Sequence, residues 1–171
     1  MVSGQKKQPL TTKKMFKINR KLEYALIALK YMSAKNPGQL TSAKEICDIY
    51  HVPFDPTSRV LQIMAQKDIL QAEQGAKGGY QIIKDLSKIT MRELSDMLIG
   101  PIEIANCFHS TYSHCEISHT CHIIAPMLNL NENIKKLFTT ITIADLIQSK
   151  HSGEKGIRDK KIVMTKESVS N

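Results

Sequence analysis

Two strand-like runs, Ile69-Leu70-Gln71-Ala72-Glu73 and Tyr80-Gln81-Ile82-Ile83, are separated by a loop containing Gly75-Ala76-Lys77-Gly78-Gly79. That loop reads as a tight hairpin, because glycine accepts positive φ without steric cost and lets the backbone come close to another group. What precedes it is helical. Leu22, Ala25, Leu26 and Leu29 recur at helical spacing in an amphipathic run from about Asn19 to Ala34, which Asn36-Pro37-Gly38 stops. Ser42 with Glu45 three residues on is a capping-box signature that opens a short helix through Tyr50. His51-Val52-Pro53-Phe54 then makes a tight connection to Asp55-Pro56, an expected N-cap followed by proline at the first helical position.

The third helix is predicted to bury Val60, Leu61 and Met64 and to turn Thr57, Ser58, Arg59 and Gln62 outward. Three short helices with a turn between the second and third, followed by a hairpin, predict a winged helix-turn-helix whose third helix enters a major groove. Arg59 on that helix suits a base edge or phosphate, with Thr57, Ser58 and Gln62 beside it. Lys77 at the hairpin tip, next to Gly78, suits a phosphate or the minor groove. Taken singly, each cation also fits a solvated surface charge.

Net charge alone decides less than it suggests. Of the +8 total, residues 1–21 hold +7 and residues 149–171 hold +3, which leaves −2 between them. The basic ends read as solvated tails, so DNA binding rests on the helix and hairpin pattern. A length of 171 residues supports one domain with appendages. No apolar run approaches the roughly 20 residues of a membrane span, and none follows the basic start as a signal peptide would, so a cytoplasmic protein without a membrane partner is expected. In that reducing compartment the four cysteines are expected to serve metal or redox chemistry more than disulfides. Cys47, on the inner side of the second helix, reads as a simple core residue.

Beyond the hairpin, Thr90 with Glu93 is another capping-box signature, and the helix it opens runs through Leu98 before Gly100-Pro101. Helical periodicity is then lost between Asn106 and His122. Cys107, Cys115 and Cys121 lie in that stretch, spaced C-x7-C-x5-C, together with His109, His114, His119 and His122. The spacing matches neither the paired thiols of zinc ribbons nor the ferredoxin runs. Soft thiolates select zinc, copper(I) or an iron-sulfur cluster, and widely spaced ones can wrap an object larger than a single ion. Zinc and free thiols are the alternatives, and three thiolates leave a fourth ligand open. Met127, Leu128, Ile134, Leu137, Phe138 and Ile141 then give a helix to about Thr139 an apolar face that suits a second copy of the chain, followed by a last turn at Thr142-Ile143-Ala144-Asp145-Leu146.

Taken together these residues resemble the IscR/NsrR-type (Rrf-two) family of bacterial winged-helix regulators, over about Phe16 to Gln148. The marks are Lys17-Ile18 leading to Tyr24-Ala25-Leu26, Ala43-Lys44-Glu45-Ile46, Gly78-Gly79-Tyr80 with Lys84-Asp85, Ile89-Thr90 with Glu93-Leu94, the cysteine triplet, and Ile141 to Leu146. The resemblance implies a mainly α fold with a small β-hairpin wing and a C-terminal dimerisation helix. It implies a homodimer that binds operator DNA and reports iron-sulfur, nitric oxide or redox status through a 2Fe-2S or 4Fe-4S cluster. Cys107, Cys115 and Cys121 would be ligands. Some members use a histidine three residues after the last cysteine, where this chain has Ile124. Others use an acidic residue of the partner's first helix, the position of Glu23, which makes Glu23 the first choice for the fourth ligand and His122 the reserve.

The first cysteine gap is seven residues where five is more usual, and Pro126 falls where the dimer helix should start. The expected organisation is a basic extension (1–15), the winged domain (16–100), a cluster loop (101–125), the dimer helix (126–148) and a basic tail (149–171). Change at the cluster would reorder the loop, shift the dimer helix and alter the spacing of the two recognition helices. The alternative is a cluster-free or zinc-binding thiol switch or interaction protein. An enzyme is not expected, since no nucleotide-binding glycine loop, nucleophile elbow or paired-carboxylate motif stands out.

Overall fold

The computed structural model describes residues 18–75, 77–104 and 120–148. In chain order these form α1 (Arg20–Ser33), α2 (Ala43–Tyr50), α3 (Phe54–Gln66), β1 (Leu70–Glu73), β2 (Gly79–Ile82), a 3-10 turn at Leu86–Lys88, α4 (Met91–Ile99), α5 (Ile124–Thr140) and α6 (Ile143–Gln148). The fold is mainly helical with one antiparallel hairpin, as the sequence pattern predicts.

The side-chain oxygen of Asn19 accepts the Lys21 N–H at 3.0 Å and starts α1. Leu22, Ala25, Ala28, Leu29 and Met32 make its buried stripe, with Leu26 packed at the edge. Ser42 caps α2 by accepting the Glu45 N–H at 3.1 Å. His51, in the left-handed region at φ 52°, ends that helix and turns the chain toward α3.

The start of α3 differs from expectation. Extended Pro53 is its N-cap and Phe54 its first residue, so Asp55 and Pro56 lie inside the first turn. Proline is tolerated there because first-turn N–H groups have no intrahelical acceptor. The predicted buried residues Val60, Leu61 and Met64 are all buried, and each aliphatic side chain taken from water contributes roughly 1.5–3 kcal/mol.

β1 and β2 pair from Leu70 opposite Ile82 to Glu73 opposite Gly79. Gly75, at φ 117°, supplies the one positive φ that the described loop residues need. Gly79 serves a different purpose: a Cβ there would sit 2.9 Å from the backbone of Thr41. That closeness lets Thr41 exchange two 2.9 Å backbone hydrogen bonds with Tyr80, which ties the segment before α2 to the hairpin.

Thr90 and Glu93 form the expected capping box at α4. The chain end returns to the same core. Met91 N–H donates to Ile141 O and Ile143 N–H to Ile89 O, both at 2.8 Å, and Ile143 and Ile147 are buried with α1 and α4. The Lys30 ammonium donates to the Ile147 carbonyl and so caps the end of α6. α5 packs on α4, and Pro126 falls in its first turn, where it is tolerated.

Candidate nucleic-acid interface

Four of the six residues expected to touch DNA lie on α3, and three of them face outward. Arg59 and Gln62 are exposed and Ser58 is half-buried. With Phe54, Asp55, Pro56, Ile63 and Gln66 they line an open groove of about 610 Å³ along the outer side of the helix. Thr57 is corrected. It is 1% exposed, and its hydroxyl donates to the Pro53 carbonyl at 2.8 Å. Position 57 lies three, four and seven residues before Val60, Leu61 and Met64 and so shares their buried face, from which it steadies the first turn.

Lys77 stands exposed near the hairpin tip, and Gly78 beside it is half-buried. A Cβ at Gly78 would lie 2.3 Å from the Glu73 carbonyl oxygen, so glycine here is a requirement of the hairpin's own closure. Among the described residues neither Arg59 nor Lys77 is paired with an acid, which leaves both available to phosphates. Asp55, in the first turn of α3, is favoured there by the helix dipole.

α2 is held against α1 by a compact polar cluster. The Tyr31 hydroxyl and the Lys35 ammonium both donate to Glu45 Oε1, at 2.5 Å and 2.6 Å, while the Lys35 ammonium sits 4.8 Å over the Tyr31 ring. Burial pushes the Glu45 carboxyl up, but the Lys35 and Tyr31 hydrogen bonds and the Lys35 charge outweigh it and hold the carboxyl below its ordinary value. The hydrogen bond to Glu45, with burial behind it, raises Tyr31.

Cys107 and Cys115 lie outside the described residues. Cys121 is a half-buried free thiol, two residues before the Ile123 N-cap of α5, and His122 next to it is exposed. Glu23 is on α1, paired with Arg20 at 2.8 Å. Such an exposed pair is worth less than about 1 kcal/mol and is readily exchanged for another partner. Among the described residues no group of three His, Cys, Asp or Glu side chains is gathered to hold an ion. Cys47 is half-buried and outside the core cluster, contrary to its expected core role.

Two further residues belong to the site and its supports without a local pattern that announces them. Phe54 opens the groove on α3 because Pro53 begins the helix earlier than Asp55 would. Asn131 is the one buried residue of α5, and its side-chain oxygen accepts the Ile104 N–H at 3.2 Å. A polar residue inside an amphipathic helix gives no warning of this, since a contact 27 residues away decides it.

An exposed third helix with a groove of cationic, polar and aromatic side chains, flanked by a hairpin with a lysine near its tip, defines a winged helix-turn-helix DNA-binding protein. Residues 18–149 match the Rrf2 family model, described as an iron-dependent transcriptional regulator, and the chain belongs to that family. The HTH-type transcriptional regulator NsrR of Shouchella clausii (strain KSM-K16) is 20% identical over 125 residues, covering 73% of this chain and 84% of that protein. The solved structure of CymR (YrzC), the global cysteine regulator of B. subtilis, is similar with a TM-score of 0.58 at 19% identity, over 80% of this chain and 99% of that one. T. potens IscR is similar with a TM-score of 0.56 at 15% identity, over 77% and 86% respectively. These structural likenesses establish the fold, and the relatives are regulators of transcription rather than enzymes. Among the described residues no helix is long and apolar enough to cross a membrane.

Proposed function

We propose that this transcriptional regulator acts in the cytoplasm as a homodimer whose affinity for a double-stranded operator is set by an iron-sulfur cluster in the 101–125 segment. Cys107, Cys115 and Cys121 hold the cluster, Glu23 of the partner subunit completes the set, and His122 is the reserve ligand. The observation that carries the reading is the donor set: three thiolates at C-x7-C-x5-C between α4 and α5, the last of them free and half-buried at the foot of α5. Thiolates are the donors that iron-sulfur clusters take, so the residues fit the group. When bound, the cluster supplies a centre that reacts with oxidants or nitric oxide. It is either 2Fe-2S or 4Fe-4S, since both take four protein ligands.

On this reading Arg59, Ser58, Gln62 and Lys77 bind the operator, with the Gly78 backbone near a phosphate and Thr57 acting from inside the helix. Of the expected 126–148 helix, α5 carries the dimer contact while α6 packs into the protomer's own core, and the basic ends, 1–15 and 149–171, are appendages. The coupling requires no catalysis. Asn131 fastens the start of the cysteine segment to α5, so a change in that segment reaches the dimer contact and the spacing of the two α3 helices. A coupling of roughly 1–3 kcal/mol gives a 5- to 150-fold change in operator affinity.

Anaerobic purification with absorption spectra and iron, sulfide and zinc analysis tests the proposal. Brown protein with iron and acid-labile sulfide, lost in Cys107→Ala, is the expected result. Colourless protein with stoichiometric zinc, or with no metal, would leave a winged-helix regulator whose cysteines are structural or act as thiol switches.

A further inference from the structure

The groove on α3 contains one side chain whose exposure its own fold does not account for. Phe54 is 52% exposed, the first residue of α3, and lines the groove with Ser58, Arg59 and Gln62. Tyr50, at the end of α2, is also exposed, but its ring packs edge-on against Tyr31 with centroids 5.9 Å apart. Among the described residues Phe54 has no ring contact of that kind. An aromatic ring left in water forgoes burial that a surface selected only for solubility would avoid, so the ring is expected to be covered when the groove is filled.

The groove's other side chains say what fills it. Arg59 supplies an unpaired cation, and Gln62, Gln66 and Ser58 supply hydrogen-bonding groups beside Pro56 and Ile63, a combination suited to phosphates and base edges. The N-terminal residues of a recognition helix are those that reach base edges. In the major groove a base pair offers one apolar group, the C5-methyl of thymine, and phenylalanine is among the side chains that take it.

We infer that Phe54 is a specificity-determining residue that reads the methyl group of a thymine in each operator half-site, beside the contact made by Arg59. The inference rests on the reading of α3 as the DNA-reading helix. Thr57 cannot supply this contact, because its methyl and hydroxyl are turned inward. Phe54 therefore takes the apolar part of recognition that the outward-facing polar residues lack.

The test uses the full chain and a duplex selected with it from a randomised library. Each thymine of that duplex is replaced in turn by uracil, which removes the methyl and changes no hydrogen-bonding group. Native protein is expected to lose about fourfold in affinity at one position per half-site, the worth of one buried methyl, and about 15-fold when both half-sites are changed. Phe54→Ala should bind the thymine duplex more weakly by at least that factor and be indifferent to uracil at that position. Phe54→Leu should restore part of the difference. The inference is overturned if native protein binds with steep salt dependence yet responds to no uracil, or responds equally in Phe54→Ala. If native protein selects no duplex at all, the DNA-reading role of α3 falls with it, and Phe54 belongs to a protein-binding surface.

Discussion

Lys35 and Glu45 show how a few side chains set the angle at which the helix-turn-helix is presented. The Lys35 side chain is only 11% exposed and Glu45 34%, so their 2.6 Å bond lies in a partly dry environment and outranks the open Arg20–Glu23 pair. Lys35 also donates to the Leu40 carbonyl at 3.3 Å, which ties the connection between α1 and α2 to the same point. Because the folded state holds the Glu45 carboxyl below its ordinary value of 4.5, the group stabilises the fold above that pH. The contribution is lost as pH falls through the lower folded value. Glu45→Gln should cost about 1 kcal/mol near pH 7, a charged hydrogen bond discounted for its exposure. Urea unfolding of both proteins at pH 7 and pH 3.5 should show that gap closing toward acid. A gap unchanged across the two pH values would mean that Glu45 acts by packing alone.

At the scale of elements, the junction between the cysteine segment and α5 depends on one polar contact. Asn131 is 2% exposed and accepts the Ile104 N–H, so removing it leaves a half-buried donor without that acceptor. Asn131→Ala should lower unfolding free energy by about 1–3 kcal/mol and speed exchange of the Ile104 amide. An amide that stays protected in the variant would show that Ile104 is held by other means and that the segment is not fastened to α5 at this point. This contact also marks where sequence reasoning reaches its limit. The helices, the hairpin and both capping residues Ser42 and Thr90 were legible because local periodicity and capping chemistry determine them. The burial of Thr57 was open to the same periodicity, since it lies three, four and seven residues before Val60, Leu61 and Met64 and so shares their face, but its hydroxyl suggested an outward place until the bond to the Pro53 carbonyl satisfied it. The packing of Ile143 and Ile147 on α1 was not legible, because it is set by pairing between Ile89 and Ile143, far apart in the chain.

At the scale of the whole molecule, α5 is a helix in search of a cover. It runs for 17 residues, yet Asn131 is its only buried residue. Ile123, Leu130 and Leu137 are 62%, 47% and 54% exposed. They fall seven residues apart, and with Met127 and Ile134 between them the spacing alternates four and three, the period of a two-helix seam. Periodicity of that kind is wasted on solvent and suits a second copy, which would give a two-fold operator two recognition helices. Replacing both Leu130 and Leu137 by Glu puts four carboxylates into the seam of a dimer. At several kcal/mol for each desolvated ion, the penalty exceeds the roughly 12 kcal/mol that holds a nanomolar complex. Because both positions are half-exposed in the single chain, the protomer itself should keep its helical circular dichroism. Sedimentation at micromolar concentration should therefore show the native chain at twice the mass of the double variant, with operator affinity in the variant reduced at least a hundredfold. If the native chain sediments as a monomer, or the variant stays dimeric, the seam lies elsewhere and the apolar edge of α5 covers something other than its own copy.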